Sequence, residues 1–173
     1  MMNKCVFLDR DGVINKDYVD YAYSLDRFII LDGVLEGLKK LKEAGFKLAI
    51  ITNQSGIAKG VYTREDMQIC HDFLQEQCGG IIDEIQYAPY HPLVTESLTR
   101  KPDSLMFEKA ISKLKTDISQ SWMLGDKERD LIPAKKLGLR TILIEPELQK
   151  DSISNHQFSS LIEAVEKVIL KYI

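Results

Sequence analysis

Short apolar blocks alternate with longer amphipathic blocks along the whole chain. The apolar blocks predict buried strands, because they are short, rich in large aliphatic side chains and bounded by polar or turn-forming residues. They lie at residues 4–9, 46–53, 82–89, 121–126 and 140–146.

The blocks between the predicted strands repeat their apolar residues at helical spacing and therefore predict helices. In the first of them Gly45 is a typical helix stop. In the second, Thr63 with Asp66 three residues later forms a near capping box and predicts the N-terminus. The predicted helices lie at residues 34–45, 63–78, 103–115 (with Asp103 as N-cap), 130–139 and 158–173.

The alternation of strands and helices predicts an α/β fold. We expect a Rossmann-like three-layer α/β/α arrangement, in which helices cover both faces of a central parallel sheet. A length of 173 residues fits a single domain over residues 1–173. In such sheets, sites lie beyond the carboxyl ends of the strands, near the switch in strand order.

Composition and charge argue against several classes of function. A net charge of −3 does not favour nucleic acid as a main partner. No apolar stretch is long enough to span a membrane, and the chain begins without the apolar segment of a signal peptide. The three cysteines form no CxxC pair, which predicts free thiols in a reducing cytoplasm. A monomer is the default expectation, because no extended oligomerisation signal is visible.

Polar side chains follow three of the predicted strands. Asp9 and Asp11 come after the first strand, Thr52 and Asn53 end the second, and Asp126 ends the fourth. Since the ends of parallel strands share one edge of a sheet, we expect these side chains to lie close together. Their carboxylate oxygens suit Mg²⁺, so Asp9, Asp11 and Asp126 are candidate metal ligands. Asp11 would offer its backbone carbonyl, which leaves its carboxyl group free for proton transfer.

Lys101 extends this set toward phosphate chemistry. The Thr52 hydroxyl and the Lys101 ammonium are the kinds of donor that hold a charged phosphoryl group. A carboxylate nucleophile, a metal that neutralises charge and donors that fix the phosphate together indicate phosphoryl transfer.

Four ordered motifs, "FLDRDGVIN", "IITNQSGIAKG", "RKP" and "LGDKERD", carry a family resemblance. They resemble the haloacid dehalogenase-like phosphatases, in the branch of the heptose-bisphosphate and histidinol-phosphate phosphatases, over residues 5–146. The resemblance implies a Mg²⁺-dependent phosphomonoesterase that acts on a small phosphorylated metabolite through an aspartyl-phosphate. It favours the C7 phosphate of a heptose 1,7-bisphosphate. Histidinol phosphate and other small metabolites remain open as substrates.

The resemblance also implies a role for each matching residue. Asp9 would be the nucleophile, and Asp11 the general acid for the leaving alcohol and then the base for water. Thr52 would bind the phosphoryl group, Lys101 would offset negative charge, and Asp126 would hold the metal.

Four further residues are also candidates, and three of them have two interpretations each. Arg100 resembles a substrate-contacting arginine that would pair with a second phosphate, but it could be a surface charge. Asn53 could contact substrate or cap the following turn. Lys127 is a candidate substrate contact of the fourth motif. Asp130 could serve that motif or only the dipole of its helix.

One stretch departs from the family pattern. Many members of the branch hold zinc through Cys-x-His before the third motif and Cys-x-Cys beside it. Here Ala88 and Tyr90 occupy the first pair of positions, and no cysteine lies between His91 and Arg100. Because a structural zinc site needs about four ligands, we expect no structural zinc.

The spacing of the motifs leaves little room for an inserted cap. Only modest segments separate the first motif from the first helix and the second motif from the third. We therefore expect no full cap domain and a comparatively open site, in which loops such as the tyrosine-rich residues 15–24 contribute specificity.

Overall fold

A computed structural model describes residues 2–172. Its strands are β1 (Cys5–Leu8), β2 (Lys47–Asn53), β3 (Glu84–Ala88), β4 (Trp122–Gly125), β5 (Arg140–Ile144) and β6 (His156–Phe158). They form one parallel sheet in the order β3-β2-β1-β4-β5-β6. Strands β2 and β3 follow β1 on one side of the sheet, and β4, β5 and β6 lie on the other side of β1. The switch in strand order therefore lies between β1 and β4.

Helices cover both faces of the sheet. They are α1 (Val34–Glu43), α2 (Arg64–Gln77), α3 (Leu105–Leu114), α4 (Glu128–Lys136) and α5 (Leu161–Lys167), with 3₁₀ turns at Ile118–Gln120 and Ile169–Tyr172. Helices α1, α2 and α5 pack on one face, and α3 and α4 pack on the other. The predicted three-layer α/β/α fold is confirmed.

The strands alternate their side chains between two hydrophobic cores. In β1, Val6 and Leu8 face the core beneath α1, α2 and α5, while Cys5 and Phe7 face the core beneath α3 and α4. All four side chains are fully buried. This period of two in a strand covered on both faces explains why the sequence shows one unbroken apolar run there.

The sequence-based boundaries are wrong in two places. The last helix was expected over residues 158–173, but β6 ends at Phe158 and α5 begins at Leu161; Ile173 lies outside the described residues. Asp103 is not the N-cap of α3, because Ser104 holds that position and makes no side-chain cap hydrogen bond. The capping box at Thr63 is confirmed, with Thr63 Oγ1 accepting from the Asp66 amide at 3.1 Å.

The connections next to the site are short. Residues 9–33 join β1 to α1 without a helix or a strand, and a single helix, α2, lies between β2 and β3. These segments are too small to form a cap domain. Within residues 2–172, no helix has the length and hydropathy needed to cross a bilayer.

Candidate active site

The site begins where β1 and β4 end side by side. Asp9 directly follows β1, and its backbone amide donates to the carbonyl of Leu124 at 2.9 Å. Asp126 follows Gly125, the last residue of β4. Parallel pairing therefore delivers both carboxylates to the same edge, at the switch point of the sheet.

Three carboxylates meet at this edge: Asp9, Asp126 and Asp130, each with an oxygen within 4.8 Å of the other two. All three are buried. Burial, and after it the charge of Asp130, raises the pKa of Asp9 to about 8, although Lys101 opposes the shift. Burial also raises the pKa of Asp126 to about 6 against the opposing effect of Lys127. Carboxyl groups gathered in this way are stabilised by a cation among them.

The cluster fits a hard divalent cation. Asp126 Oδ1 is buried and has no hydrogen-bond partner in residues 2–172, so one ligand oxygen is free. Carboxylate oxygens are the ligands that Mg²⁺ prefers. The sequence-based metal set contains Asp11, whereas the structure places Asp130 beside Asp9 and Asp126. The proposed contribution of Asp11, its backbone carbonyl, stays a prediction.

Lys101 is buried under these carboxylates. Its Nζ lies 2.8 Å from Asp9 Oδ1 and donates to the carbonyl of Ile51 at 2.7 Å. It also lies 2.8 Å from Asp130 Oδ1, an ion pair that lacks the directional geometry of a hydrogen bond. Burial lowers the pKa of Lys101, but Asp130 and Asp9 outweigh burial and the net pKa is raised. The lysine therefore remains charged beside the candidate nucleophile.

Asn53 fixes the backbone of Lys101. The Asn53 amide donates to the carbonyl of Lys101 at 3.1 Å and accepts from its N–H at 3.0 Å. This reciprocal pair joins the end of β2 to the third motif across 48 residues of sequence. Asn53 also lines the cavity in front of Asp9, so a substrate contact stays a prediction.

The carboxylate of Asp11 points to a different set of partners. Its Oδ1 accepts from Arg10 Nη2 and Asn15 Nδ2, each at 2.9 Å, and its Oδ2 accepts from Gln54 Nε2 at 3.0 Å. The side chain is 21% exposed. Asp11 is thus ordered by donors and still reaches solvent, which suits a group that exchanges protons.

Arg10 and Gln54 were not identified from the sequence. Arg10 is 1% exposed, donates to Asp11 and to the carbonyl of Ala22, and lies 3.4 Å from His71 Nε2. Gln54 donates to both Asp11 and Thr52, the latter at 2.9 Å. Both residues lie inside motifs that were recognised. The sequence feature that could have identified them is a polar residue directly after a block that predicts a buried strand.

Two glycines allow the cluster to close. A Cβ on Gly12 would lie 2.4 Å from Asp126 Oδ2, and a Cβ on Gly125 would lie 2.5 Å from the Cβ of Asp130. Gly12 also has a φ of +87°, a conformation that side chains disfavour. The absence of a side chain at these positions lets the first and fourth motifs approach each other.

A cavity of about 300 Å³ opens in front of Asp9 and Asp11. Its wall carries several basic side chains: Lys59, His91, Arg100, Lys127 and Arg129. Burial, and then the nearby charge of Arg129, lowers the pKa of Arg100. Lys127 is already paired with Asp126 at 2.6 Å and with Asp17 at 2.8 Å. The cavity thus combines the carboxylates of Asp9, Asp11 and Asp17 with the guanidinium groups of Arg100 and Arg129, a positive wall that suits an anionic ligand.

The chain belongs to the haloacid dehalogenase-like hydrolase family, whose model matches residues 12–144. The D-glycero-beta-D-manno-heptose-1,7-bisphosphate 7-phosphatase of Haemophilus ducreyi is 39% identical over 150 residues, which cover 82% of each chain. The D-glycero-D-manno-heptose-1,7-bisphosphate 7-phosphatase of Chlorobaculum tepidum is 35% identical over 96% of this chain and 94% of its own.

A solved structure shares the fold over nearly its full length. It is the D,D-heptose 1,7-bisphosphate phosphatase of B. bronchiseptica complexed with magnesium and phosphate. The TM-score is 0.85 at 27% identity, over 97% of this chain and 99% of the other. These comparisons confirm the predicted family and the predicted phosphatase class.

Proposed function

We propose that this protein is a Mg²⁺-dependent phosphomonoesterase that removes the C7 phosphate of D-glycero-D-manno-heptose 1,7-bisphosphate. The observation that carries the proposal is Asp9, buried against Lys101 and beside Asp126 at the switch point of the sheet. Relatives with this activity in their names match most of the chain, which supports the choice of substrate.

Asp9 is the proposed nucleophile. An oxygen of its carboxylate bonds to phosphorus while the bond between phosphorus and the sugar oxygen breaks, which gives an aspartyl-phosphate. Lys101 favours the ionised form of Asp9 against burial and offsets the charge of the phosphoryl group, and Thr52 donates to a phosphoryl oxygen. Bound Mg²⁺, held by Asp9, Asp126 and the Asp11 carbonyl, would neutralise charge on the phosphoryl oxygens.

Asp11 is the proposed proton carrier. It gives its proton to the sugar oxygen as that oxygen leaves, so the alcohol departs neutral. The resulting carboxylate then takes a proton from water, whose oxygen bonds to phosphorus as the bond to Asp9 breaks. Inorganic phosphate is released, and Asp11 returns to its original protonation state.

The basic wall of the cavity supports a substrate with a second phosphate. Arg100 and Arg129 carry like charges, and neither is paired with a carboxylate in the described residues 2–172. A phosphate between them would relieve their repulsion and accept two forked donors. Lys127 and Asn53, which also line the cavity, would contact the sugar or its phosphate.

The remaining expectations belong to the same proposal. A free-thiol state of Cys5, Cys70 and Cys78 supports a cytoplasmic location. The partner is a small phosphorylated sugar, with no role for nucleic acid or membrane, and the protein acts as a monomer without structural zinc. In the loop that differs from its zinc-binding relatives, His91 Nδ1 accepts from the backbone amide of Leu93 at 3.2 Å.

The decisive experiment measures phosphate release with Mg²⁺ from both anomers of D-glycero-D-manno-heptose 1,7-bisphosphate, beside histidinol phosphate. The Asp9→Asn variant is the blank. It should lose turnover by at least about 1,000-fold, because the amide removes the nucleophile but keeps its shape. Its circular dichroism spectrum should match that of the wild type.

A strong heptose preference supports the proposal and identifies the anomer. A preference for histidinol phosphate would replace the substrate while leaving the chemistry intact. Near-wild-type rates in Asp9→Asn would contradict the aspartyl-phosphate mechanism itself.

A further inference from the structure

A buried pair of polar side chains, Tyr62 and Gln54, lies behind Asp11 and Thr52. The Tyr62 hydroxyl donates to Gln54 Oε1 at 2.6 Å, and Gln54 Nε2 donates to Asp11 Oδ2 at 3.0 Å and to Thr52 Oγ1 at 2.9 Å. Tyr62 is 5% exposed and Gln54 is 1% exposed. A single amide therefore contacts both the proposed proton carrier and the proposed phosphate-binding hydroxyl.

The hydroxyl of Tyr62 selects one orientation of this amide. An ionised Asp11 only accepts hydrogen bonds, so the NH₂ group of Gln54 must face it. Once Asp11 carries a proton, that constraint disappears, and a rotated Gln54 could accept the proton of Asp11 and hold it away from the substrate. Rotation would, however, place NH₂ against the Tyr62 hydroxyl and leave its buried hydrogen without an acceptor. Tyr62 therefore holds the amide in the same orientation in both protonation states.

The two oxygens of Asp11 are held differently. Oδ1 accepts from Arg10 and from Asn15. Oδ2 accepts from Gln54 alone among residues 2–172, which leaves this oxygen a free lone pair. The proton that Asp11 donates therefore belongs on Oδ2, the oxygen that Gln54 positions.

We propose that Tyr62 and Gln54 are positioning residues that keep Asp11 Oδ2 aimed at the leaving oxygen of the substrate. This inference rests on the proposed function, in which Asp11 supplies a proton while the bond between phosphorus and the sugar oxygen breaks. The pair matters for an alcohol that must leave neutral. It matters little for a leaving group that departs readily as an anion.

The test compares two substrates in the Tyr62→Phe variant with Mg²⁺. One is the heptose bisphosphate anomer that the wild type prefers, and the other is 4-nitrophenyl phosphate, whose phenolate needs no proton to leave. The ratio kcat/KM covers the steps up to departure of the leaving group and excludes the later hydrolysis of aspartyl-phosphate. It should fall about 10-fold for the sugar and less than about 2-fold for the aryl phosphate, because only the sugar draws on general-acid catalysis. KM for the sugar should stay within about 2-fold, since substrate contacts are unchanged.

Two further variants are measured with the same two substrates, one as a control and one to remove the amide. Tyr172→Phe is the control for loss of a tyrosine hydroxyl, because Tyr172 lies in the C-terminal 3₁₀ turn, packs edge-on against Trp122 with centroids 5.3 Å apart and takes no part in the bond to Gln54. It should leave both ratios unchanged. Gln54→Met removes the amide at similar size. It should enlarge the loss on the sugar and cause a smaller loss on the aryl phosphate, because Gln54 also contacts Thr52. Thermal unfolding of each variant reports whether the fold is kept.

Equal losses on the two substrates would overturn the positioning role, because a general disturbance of the site affects both. Unchanged kcat/KM for the sugar in Tyr62→Phe would overturn it as well. In both cases an active wild type leaves the proposed function standing. A wild type that releases phosphate from neither substrate would refute the proposed function, and this inference with it.

Discussion

Gly12 has no side chain at the point where the first motif touches the fourth. A Cβ there would lie 2.4 Å from Asp126 Oδ2, and the residue has a φ of +87°. The position therefore requires glycine for two separate reasons: the positive φ of the backbone and the lack of space for a side chain. Because the space is occupied by Asp126, a candidate metal ligand, a side chain at this position should affect activity as well as stability.

Gly12→Ala should lower the free energy of unfolding by about 1–3 kcal/mol, because of backbone strain. It should also lower kcat/KM by about 10- to 100-fold, because Asp126 must move away from the new methyl group. Chemical unfolding and phosphate release measure the two effects. Gly79→Ala is the control, since Gly79 has a φ of +71° and open space around it.

In the control, stability should fall by a similar amount while activity stays unchanged. If Gly12→Ala keeps wild-type activity, the close contact with Asp126 has no bearing on metal binding or catalysis.

At this scale the candidate residues can be predicted from the sequence, but their hydrogen-bond and ion-pair partners cannot. Motif order predicted that Asp9, Lys101 and Asp126 come together, and the structure brings them together. The role of Asp130 could not be predicted from the sequence, because an acidic residue in the first turn of a helix interacts favourably with the helix dipole whether it faces solvent or the site. Its complete burial beside Lys101 is a property of tertiary packing.

At the scale of elements, α2 shows how a local signal survives in the fold. Thr63 has an extended backbone, and its side chain accepts a hydrogen bond from the Asp66 amide. Its own N–H donates to the Asp66 carboxylate at 2.8 Å. These bonds are formed within four residues, so the sequence alone predicts them.

Thr63→Ala should lower the free energy of unfolding by about 1 kcal/mol, because the Asp66 amide in the first turn of α2 loses its acceptor, Thr63 Oγ1. Phosphate release should not change, since the exposed Thr63 side chain forms its hydrogen bonds with Asp66 of the same helix. Ser104→Ala is the matched control at α3, where the N-cap side chain makes no cap hydrogen bond. Equal losses in the two variants would show that the box at Thr63 adds nothing.

The missed strand β6 shows the opposite case. His156–Phe158 is three residues long and half-buried throughout, so neither its length nor its alternation marks it as a strand. It forms because β5 offers an open edge, with which it pairs in parallel through Leu143 and Gln157. Five strands were predicted because their apolar runs are intrinsic to the sequence, whereas this one depends on its neighbour.

At the scale of the whole molecule, His71 links stability to pH. Burial, and then the adjacent charge of Arg10, lowers the pKa of His71 to about 3 from its ordinary value of 6.5. The unfolded chain therefore binds a proton more readily than the folded one between these values. Stability that is present above the ordinary pKa is lost as the pH falls through this window.

His71→Gln should be less stable than the wild type near neutral pH, because a close-packed ring is replaced. Between about pH 7 and about pH 5 the gap should narrow by about 1–2 kcal/mol, since only the wild type loses the contribution of a neutral His71. Urea unfolding of both proteins at the two pH values, in the same Mg²⁺ buffer, measures the difference. A constant gap would mean that His71 titrates normally in the folded state.

The reciprocal bond between Asn53 and Lys101 has a consequence for how such proteins diversify. Lys101, the proposed catalytic lysine, is anchored to Asn53 of β2 through both its N–H and its carbonyl, which fixes its location independently of the preceding loop. In this chain that loop has no cysteine between His91 and Arg100, and the bond to Asn53 still holds Lys101 at the end of β2. The part of the molecule that would select the substrate is thereby separated from the part that would carry out the reaction, and substitutions in the loop should alter KM for a substrate more than the position of Lys101.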